Sequence, residues 1–232
     1  MKKIATIHTD FPDKFGLPRQ SGLVPELKGR IVFEPEYRNP DALRGLEGFS
    51  HIWIIWQFSR NMSAKWSPTV RPPRLGGDTR MGVFATRSPF RPNPLGLSCV
   101  RLEAVRIGKD GPELAVSGID MADNTPVYDI KPYLPYTDSH PDASSGFAGA
   151  YTDYGLEVSV SDGLMSLIPK EHRKALAGIL SNDPRPSYQH DDGRLYGLTF
   201  AGFNIKFTVS GKLLTVREIT PSDETAAADL LI

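Results

Sequence analysis

The 232-residue chain has a single cysteine, Cys99, which excludes an internal disulfide and any multi-thiolate metal site. No metal is expected. It has no apolar run approaching the roughly 18 residues of a membrane span, and Met1-Lys-Lys-Ile does not lead into a signal-length apolar stretch. The sequence therefore reads as cytoplasmic, with no membrane partner. Net charge is missing too: 27 Lys and Arg balance 27 Asp and Glu, so the chain is not a polycation. No Gly-x-Gly-x-x-Gly fingerprint supports a doubly wound dinucleotide fold, and no internal repeat is visible.

What is plentiful is proline and glycine, 20 and 21 residues, beside a 40% hydrophobic content that can bury a sizeable core. That balance favours strands, turns and ordered loops over long helices. Zero charge is also only an average. Between Lys65 and Arg101 lie seven basic residues and one acid, Asp78, a net of +6 that leaves the rest of the chain at −6. Six prolines share this window, so it cannot be helix interior. A disordered basic tail is the simplest reading of such composition. Against it, Trp66, Val70, Leu75, Met81, Val83, Phe84, Phe90 and Leu95 offer apolar anchors, and Met81–Thr86 reads as a strand. Prolines in an ordered loop lower the entropy of the unfolded chain and hold arginines in place for phosphate or carboxylate binding.

Alternating or β-rich segments predict strands at 3–8, 29–34, 51–58, 99–107, 113–119 and 127–133, with a hairpin turn at Gly108-Lys-Asp-Gly. The 51–58 segment, with its β-branched and aromatic content, reads as a buried central strand. Asp41 is placed to cap a short helix ending at Gly48. Six or seven strands with few helices argue for a compact β-barrel over residues 1–145. A polar linker begins near Asp138. Beyond it, 146–232 reads as a small α+β domain, with one clear helix at 168–180 and strands at 196–200, 204–209 and 213–219. The fold class is mainly β.

Several long blocks carry a resemblance: Pro18-Arg-Gln; Gly45-Leu-Glu-Gly-Phe-Ser-His-Ile-Trp; Thr69-Val-Arg-Pro-Pro-Arg-Leu-Gly-Gly; the run from Gly82 through Arg87-Ser-Pro-Phe-Arg-Pro-Asn-Pro to Gly96; Asp123-Asn-Thr-Pro-Val-Tyr-Asp; and Asp183-Pro-Arg-Pro-Ser-Tyr. In this order they resemble the TsaA-like family, whose bacterial members methylate N6 of threonylcarbamoyladenosine in tRNA. The resemblance covers the barrel most fully. It implies a β-barrel methyltransferase that uses S-adenosylmethionine, works as a homodimer with the cofactor near the subunit interface, and acts next to the anticodon of a threonine tRNA.

Carried over residue by residue, the resemblance implies cofactor contacts at Pro18, Arg19 and Gln20, at Ser59 and Arg60, at Arg87 and Leu97, and in the turn Asp123, Asn124, Thr125 and Pro126. Relatives often have His-Gln where Ser59 and Arg60 stand, which leaves open whether that contact is made by side chain or backbone. Gly is common at Asn124, and Asn best tolerates the positive φ such a turn requires.

Methyl transfer needs alignment more than acid–base help, so a dedicated catalytic residue is not required. Asp123, Asp129 and His51 are the candidates for a base; Asp120 joins them in the same turn, and for each a structural role stands open beside the chemical one. Arg87 suits a carboxylate of the cofactor or could pin the proline loop. Arg71, Arg74, Arg80, Arg91 and Arg185 are candidate tRNA contacts, with Tyr188 beside the last and Trp66 and Phe90 as stacking platforms or core. The alternative from another class is a non-catalytic RNA- or nucleotide-binding barrel. A hydrolase using a serine or Cys99 as nucleophile is weaker, since Cys99 sits in an alternating strand pattern where a small buried residue is the default.

Overall fold

The computed structural model describes residues 1–61, 66–72, 75, 79–109, 111–151, 155–185 and 191–222. Strands β1 (Ala5–Thr9), β2 (Lys28–Phe33), β3 (His51–Gln57), β6 (Leu95–Gly108), β7 (Gly111–Ser117) and β8 (Thr125–Pro132) close into a barrel. Its circular order is β1-β2-β7-β6-β3-β8, and all neighbours are antiparallel. Closure leaves these strands no unpaired edge. Period-two alternation decides what fills the interior: Ile7, Ile31, Ile52, Ile54, Leu114 and Val127 point inward and are fully buried. A two-stranded ribbon, β4 (Thr69–Val70) with β5 (Met81–Gly82), lies outside the barrel.

After the short helix α1 (Pro135–Asp138) comes a second sheet, built from β9 (Glu157–Ser159), β10 (Tyr196–Phe200), β11 (Phe203–Ser210) and β12 (Leu213–Pro221). Its order is β10-β11-β12-β9, with β9 parallel to β12. Two helices precede β10, α2 (Asp162–Leu167) and α3 (Lys170–Ser181). Ser161 caps α2 by accepting from the Leu164 N–H, and α3 buries Ala175, Leu176, Ile179 and Leu180 at helical spacing. Buried apolar residues of barrel and second sheet form one continuous cluster. Phe11 packs on Phe200 with ring centres 5.1 Å apart, and the Ala201 N–H donates to the Asp10 carbonyl at 2.9 Å.

Several expectations change in detail. Met81–Thr86 is not one strand, because pairing stops at Gly82 and Val83–Ala85 turn as a 3-10 helix. The 41–48 segment is two 3-10 turns, and Asn39, not Asp41, is the cap: its side chain accepts from the Asp41 N–H. β3 is central in the sheet, between β6 and β8, yet buried on one face only; His51, Trp53, Ile55 and Gln57 face outward. β9 and α2 were not foreseen; both are short, and β9 pairs with a strand more than 50 residues later in the chain. In the basic window, Val83 is buried, but Trp66, Phe84 and Phe90 are exposed. Among the described residues no helix is long and apolar enough to cross a membrane.

Candidate functional site

A cleft of about 710 Å³ opens where β3 and β6 meet the 14–20 segment, the proline loop and the 120–125 turn. One wall is aromatic, with Trp53, Trp56 and Phe58. Trp56 and Phe58 pack with ring centres 4.3 Å apart. Trp56 can lie flat against β6 because Gly96 is its cross-strand partner: a Cβ at Gly96 would stand 2.7 Å or less from three indole carbons. The cleft also has a cationic set, Lys14, Arg19, Arg60, Arg87 and Arg91. Asp120 is the one acid among the described lining residues.

Of the eleven residues named above as cofactor contacts, eight line this cleft: Pro18, Arg19, Gln20, Ser59, Arg60, Arg87, Leu97 and Thr125. Asp123, Asn124 and Pro126 do not line it. Asn124 adopts φ 62°, the left-handed conformation anticipated for it. The turn is tied to the rim, since the Arg60 guanidinium donates to the Asp123 carbonyl at 3.1 Å. Arg87 is exposed at the rim and donates to the Gln20 amide oxygen, so the 18–20 segment and the proline loop are joined across the cleft. The pin in that loop is Arg91, whose guanidinium donates to the Thr86 carbonyl at 3.2 Å. Arg19 donates to the Arg185 carbonyl at 3.5 Å, which links the rim to the turn that follows α3.

The candidate bases sort differently. Asp123 is taken up structurally: His8 Nδ1 lies 3.2 Å from its Oδ1, the Thr9 N–H donates to the same oxygen at 3.1 Å, and the Asn124 amide donates to Oδ2. Asp129 accepts from the Ile130 N–H and pairs with Lys131 at 3.2 Å. His51 is on the outward face of β3, hydrogen-bonded to the Ser50 hydroxyl. None of the three lines the cleft. Asp120 does, and burial pushes its carboxyl up to about 6. Its position in Gly118-Ile-Asp-Met-Ala-Asp was the only sequence signal, and Asp123 shared it.

The arginines proposed for RNA also divide. Arg71 and Arg80 are exposed, Arg80 donating to Thr69 Oγ1 at 3.1 Å, and Arg91 is the cleft pin already described. Arg74 and Tyr188 lie outside the described residues. Arg185 has to be corrected. It is buried and forms a two-pronged pair with Asp183 at 2.8 and 2.9 Å, so its guanidinium does not reach an RNA surface. Cys99 is half-buried on β6, and burial raises its thiol, the wrong direction for a nucleophile.

The donor set fits S-adenosylmethionine. Small-molecule clefts span roughly 300–1,000 Å³, guanidinium groups match a carboxylate, and aromatic faces suit an adenine or a cationic sulfur.

Comparison with known proteins bears on the same regions. The model of the tRNA-methyltransferase O N-terminal domain matches residues 6–139, and that of the corresponding C-terminal domain matches 156–222. A tRNA (adenine(37)-N6)-methyltransferase of Escherichia coli K12 is 42% identical over 228 residues, covering 95% of this chain and 97% of that protein. A Pseudomonas aeruginosa protein described as an S-adenosylmethionine-dependent methyltransferase, RcsF, is 42% identical over 84% of this chain and 86% of its own. The crystal structure of TrmO from Pseudomonas aeruginosa aligns with a TM-score of 0.75 at 32% identity, over 94% of this chain and 97% of that one.

Proposed function

The chain belongs to the tRNA-methyltransferase O family, and from that premise we propose how its cleft carries out the family's reaction. It is a tRNA (adenine(37)-N6)-methyltransferase whose methyl donor is S-adenosylmethionine. The observation that carries the site assignment is the convergence of Pro18, Arg19, Gln20, Ser59, Arg60, Arg87, Leu97 and Thr125 on one cleft from five separate places in the chain.

S-adenosylmethionine supplies an electrophilic methyl group on a cationic sulfur. Arg19 and Arg87 bind its carboxylate, with Gln20 orienting Arg87. Trp53, Trp56 and Phe58 provide apolar faces that exclude water from the reacting groups. Arg60 holds the Asp123–Pro126 turn against the cleft, so that turn contributes backbone and the Thr125 wall. Holding acceptor and donor in line supplies about 7–11 kcal/mol of the barrier without a covalent step.

The acceptor is the hypermodified form of the adenosine, threonylcarbamoyladenosine, in a threonine tRNA. Arg71 and Arg80 receive backbone phosphates, and the exposed rings of Trp66 and Phe90 stack on loop bases. The enzyme acts in the cytoplasm as a homodimer. Support for the dimer is the outward face of β3 and β6 beside the cleft, where Leu97 is 57% exposed and Trp53, Ile55 and Cys99 are half-covered. The division of labour falls near residue 145, with the cleft largely in the barrel and the turn after α3 buttressing Arg19 through Arg185.

Calorimetry with S-adenosylmethionine and mass spectrometry of nucleosides from treated threonine tRNA test this reading. The wild type gives saturable, stoichiometric heat and a methyl gain on threonylcarbamoyladenosine; Arg87→Ala loses the heat. Absence of heat in the wild type would return the chain to an RNA-binding module. A methyl gain on unmodified adenosine would refute the acceptor.

A further inference from the structure

Asp120 is held in a way that the binding assignments do not require. Ser98 on β6 is buried, and its hydroxyl stands between two partners: Trp56 Nε1 at 2.9 Å and Asp120 Oδ1 at 2.6 Å. An indole N–H can only donate, so the Ser98 oxygen accepts from Trp56 and its own proton must point at Asp120. The relay therefore has one direction, Trp56 to Ser98 to Asp120. The nearby backbone N–H groups of Ser21 and of Asp120 itself also favour its charged form. A carboxylate has about four acceptor positions, so the Ser98 bond leaves room on Asp120 for an incoming proton.

The surroundings keep that carboxylate basic despite its hydrogen bonds. Burial outweighs the donors, and of the cationic groups around the cleft, Lys14, Arg19, Arg60, Arg87 and Arg91, Arg87 is the one whose charge opposes the shift. No other acid lines the described cleft.

We propose that Asp120 accepts the proton that N6 of the target adenine gives up as it is methylated, with Ser98 and Trp56 as the residues that position the receiving carboxylate. The proposal rests on the reaction and cleft assigned above. As the N6–H bond breaks, nitrogen keeps its electron pair and spends it on the new N–CH₃ bond. The pair of the cleaved S–CH₃ bond stays on sulfur, which becomes neutral, and the proton ends on Asp120. Charge balances, since one cation and one anion are both discharged.

The test uses full-length protein, S-adenosylmethionine and threonylcarbamoylated tRNA, with Asp120→Asn and Ser98→Ala beside the wild type. Asp120→Asn lowers the single-turnover rate by about 10²–10⁴-fold, the usual worth of a positioned base. Its affinities for S-adenosylmethionine and for tRNA, read by calorimetry, stay near those of the wild type. The wild-type rate climbs with pH through one ionisation near neutrality, and this step is absent in Asp120→Asn. Ser98→Ala keeps the step but moves it upward, because a donor that favours the charged form has gone. Carboxyl-carbon NMR of the ligand-free protein gives a readout independent of turnover: the resonance lost in Asp120→Asn titrates well above an ordinary aspartate. A variant that methylates at near wild-type rate, one that loses cofactor affinity along with rate, or a resonance titrating near 4 would each overturn the proposal. A wild type that binds no S-adenosylmethionine would instead overturn the assigned function, whatever the NMR titration shows.

Discussion

Gly96 to alanine is a one-carbon change whose sign the structure decides. In a strand, replacing glycine by alanine restricts the unfolded chain and by itself stabilises by about 0.4–1 kcal/mol. Here the new methyl would stand 2.7 Å or less from three carbons of the Trp56 indole, a ring only 6% exposed that cannot simply swing away. Forcing a methyl into a filled site costs about 1–3 kcal/mol. Displacing the ring also breaks its bond to Ser98, 1% exposed, and a buried polar group left unpaired costs about 1–3 kcal/mol. The net is a loss of roughly 2–4 kcal/mol. Urea unfolding should show a midpoint lowered by about 1 M at unchanged slope. The cycle with Trp56→Phe isolates the cause, because the smaller ring leaves space for the methyl: Gly96→Ala then costs less than about 1 kcal/mol. A loss below about 0.5 kcal/mol in the wild-type background, or an equal loss in both backgrounds, would refute the steric account.

Other consequences can be measured directly. Asp183→Asn keeps a residue tolerant of φ 50° but removes the charge facing buried Arg185; it should cost about 3–5 kcal/mol in chemical denaturation and weaken cofactor binding through Arg19. Asp120, raised to about 6 in the fold against 3.8 unfolded, binds more proton when native. Its contribution to stability is therefore present below about pH 4 and is lost as pH rises through about 6. Wild-type stability should fall by about 2–3 kcal/mol more than that of Asp120→Asn between pH 4 and 7, read by urea midpoints. The double variant Arg71→Ala/Arg80→Ala should weaken tRNA binding and flatten its dependence on salt by up to about two counterions, seen in affinity titrations across ionic strength.

Much of the barrel was legible because each strand carries its own signal. The inward positions of β1 and β3 alternate with outward ones, and the Gly108–Gly111 turn is a local hairpin feature. The Asn124 turn was legible for the same reason, a conformational demand met by one residue type. The proline loop was misjudged at its rings: hydrophobicity suggested anchors, but Phe84 is 74% exposed, because a loop on a barrel rim has solvent on one side. β9 escaped notice since three residues carry no period, and the strand it pairs with is distant and parallel.

By itself, then, the sequence determined the six barrel strands, the proline-stiffened cationic segment and the blocks that mark the family, all of which are properties of contiguous residues. Tertiary structure alone decided which acid faces the cleft. Asp120 and Asp123 stand three apart in one turn, yet β1 captures Asp123 through His8 and Thr9, while Ser98 on β6 captures Asp120. Tertiary structure likewise turned Arg185 inward, onto Asp183 and beneath the segment that carries Arg19. In each case the deciding partner is brought in by chain closure or buried by packing, and a carboxylate or guanidinium takes its role from the donors and acceptors that reach it, which no local pattern encodes.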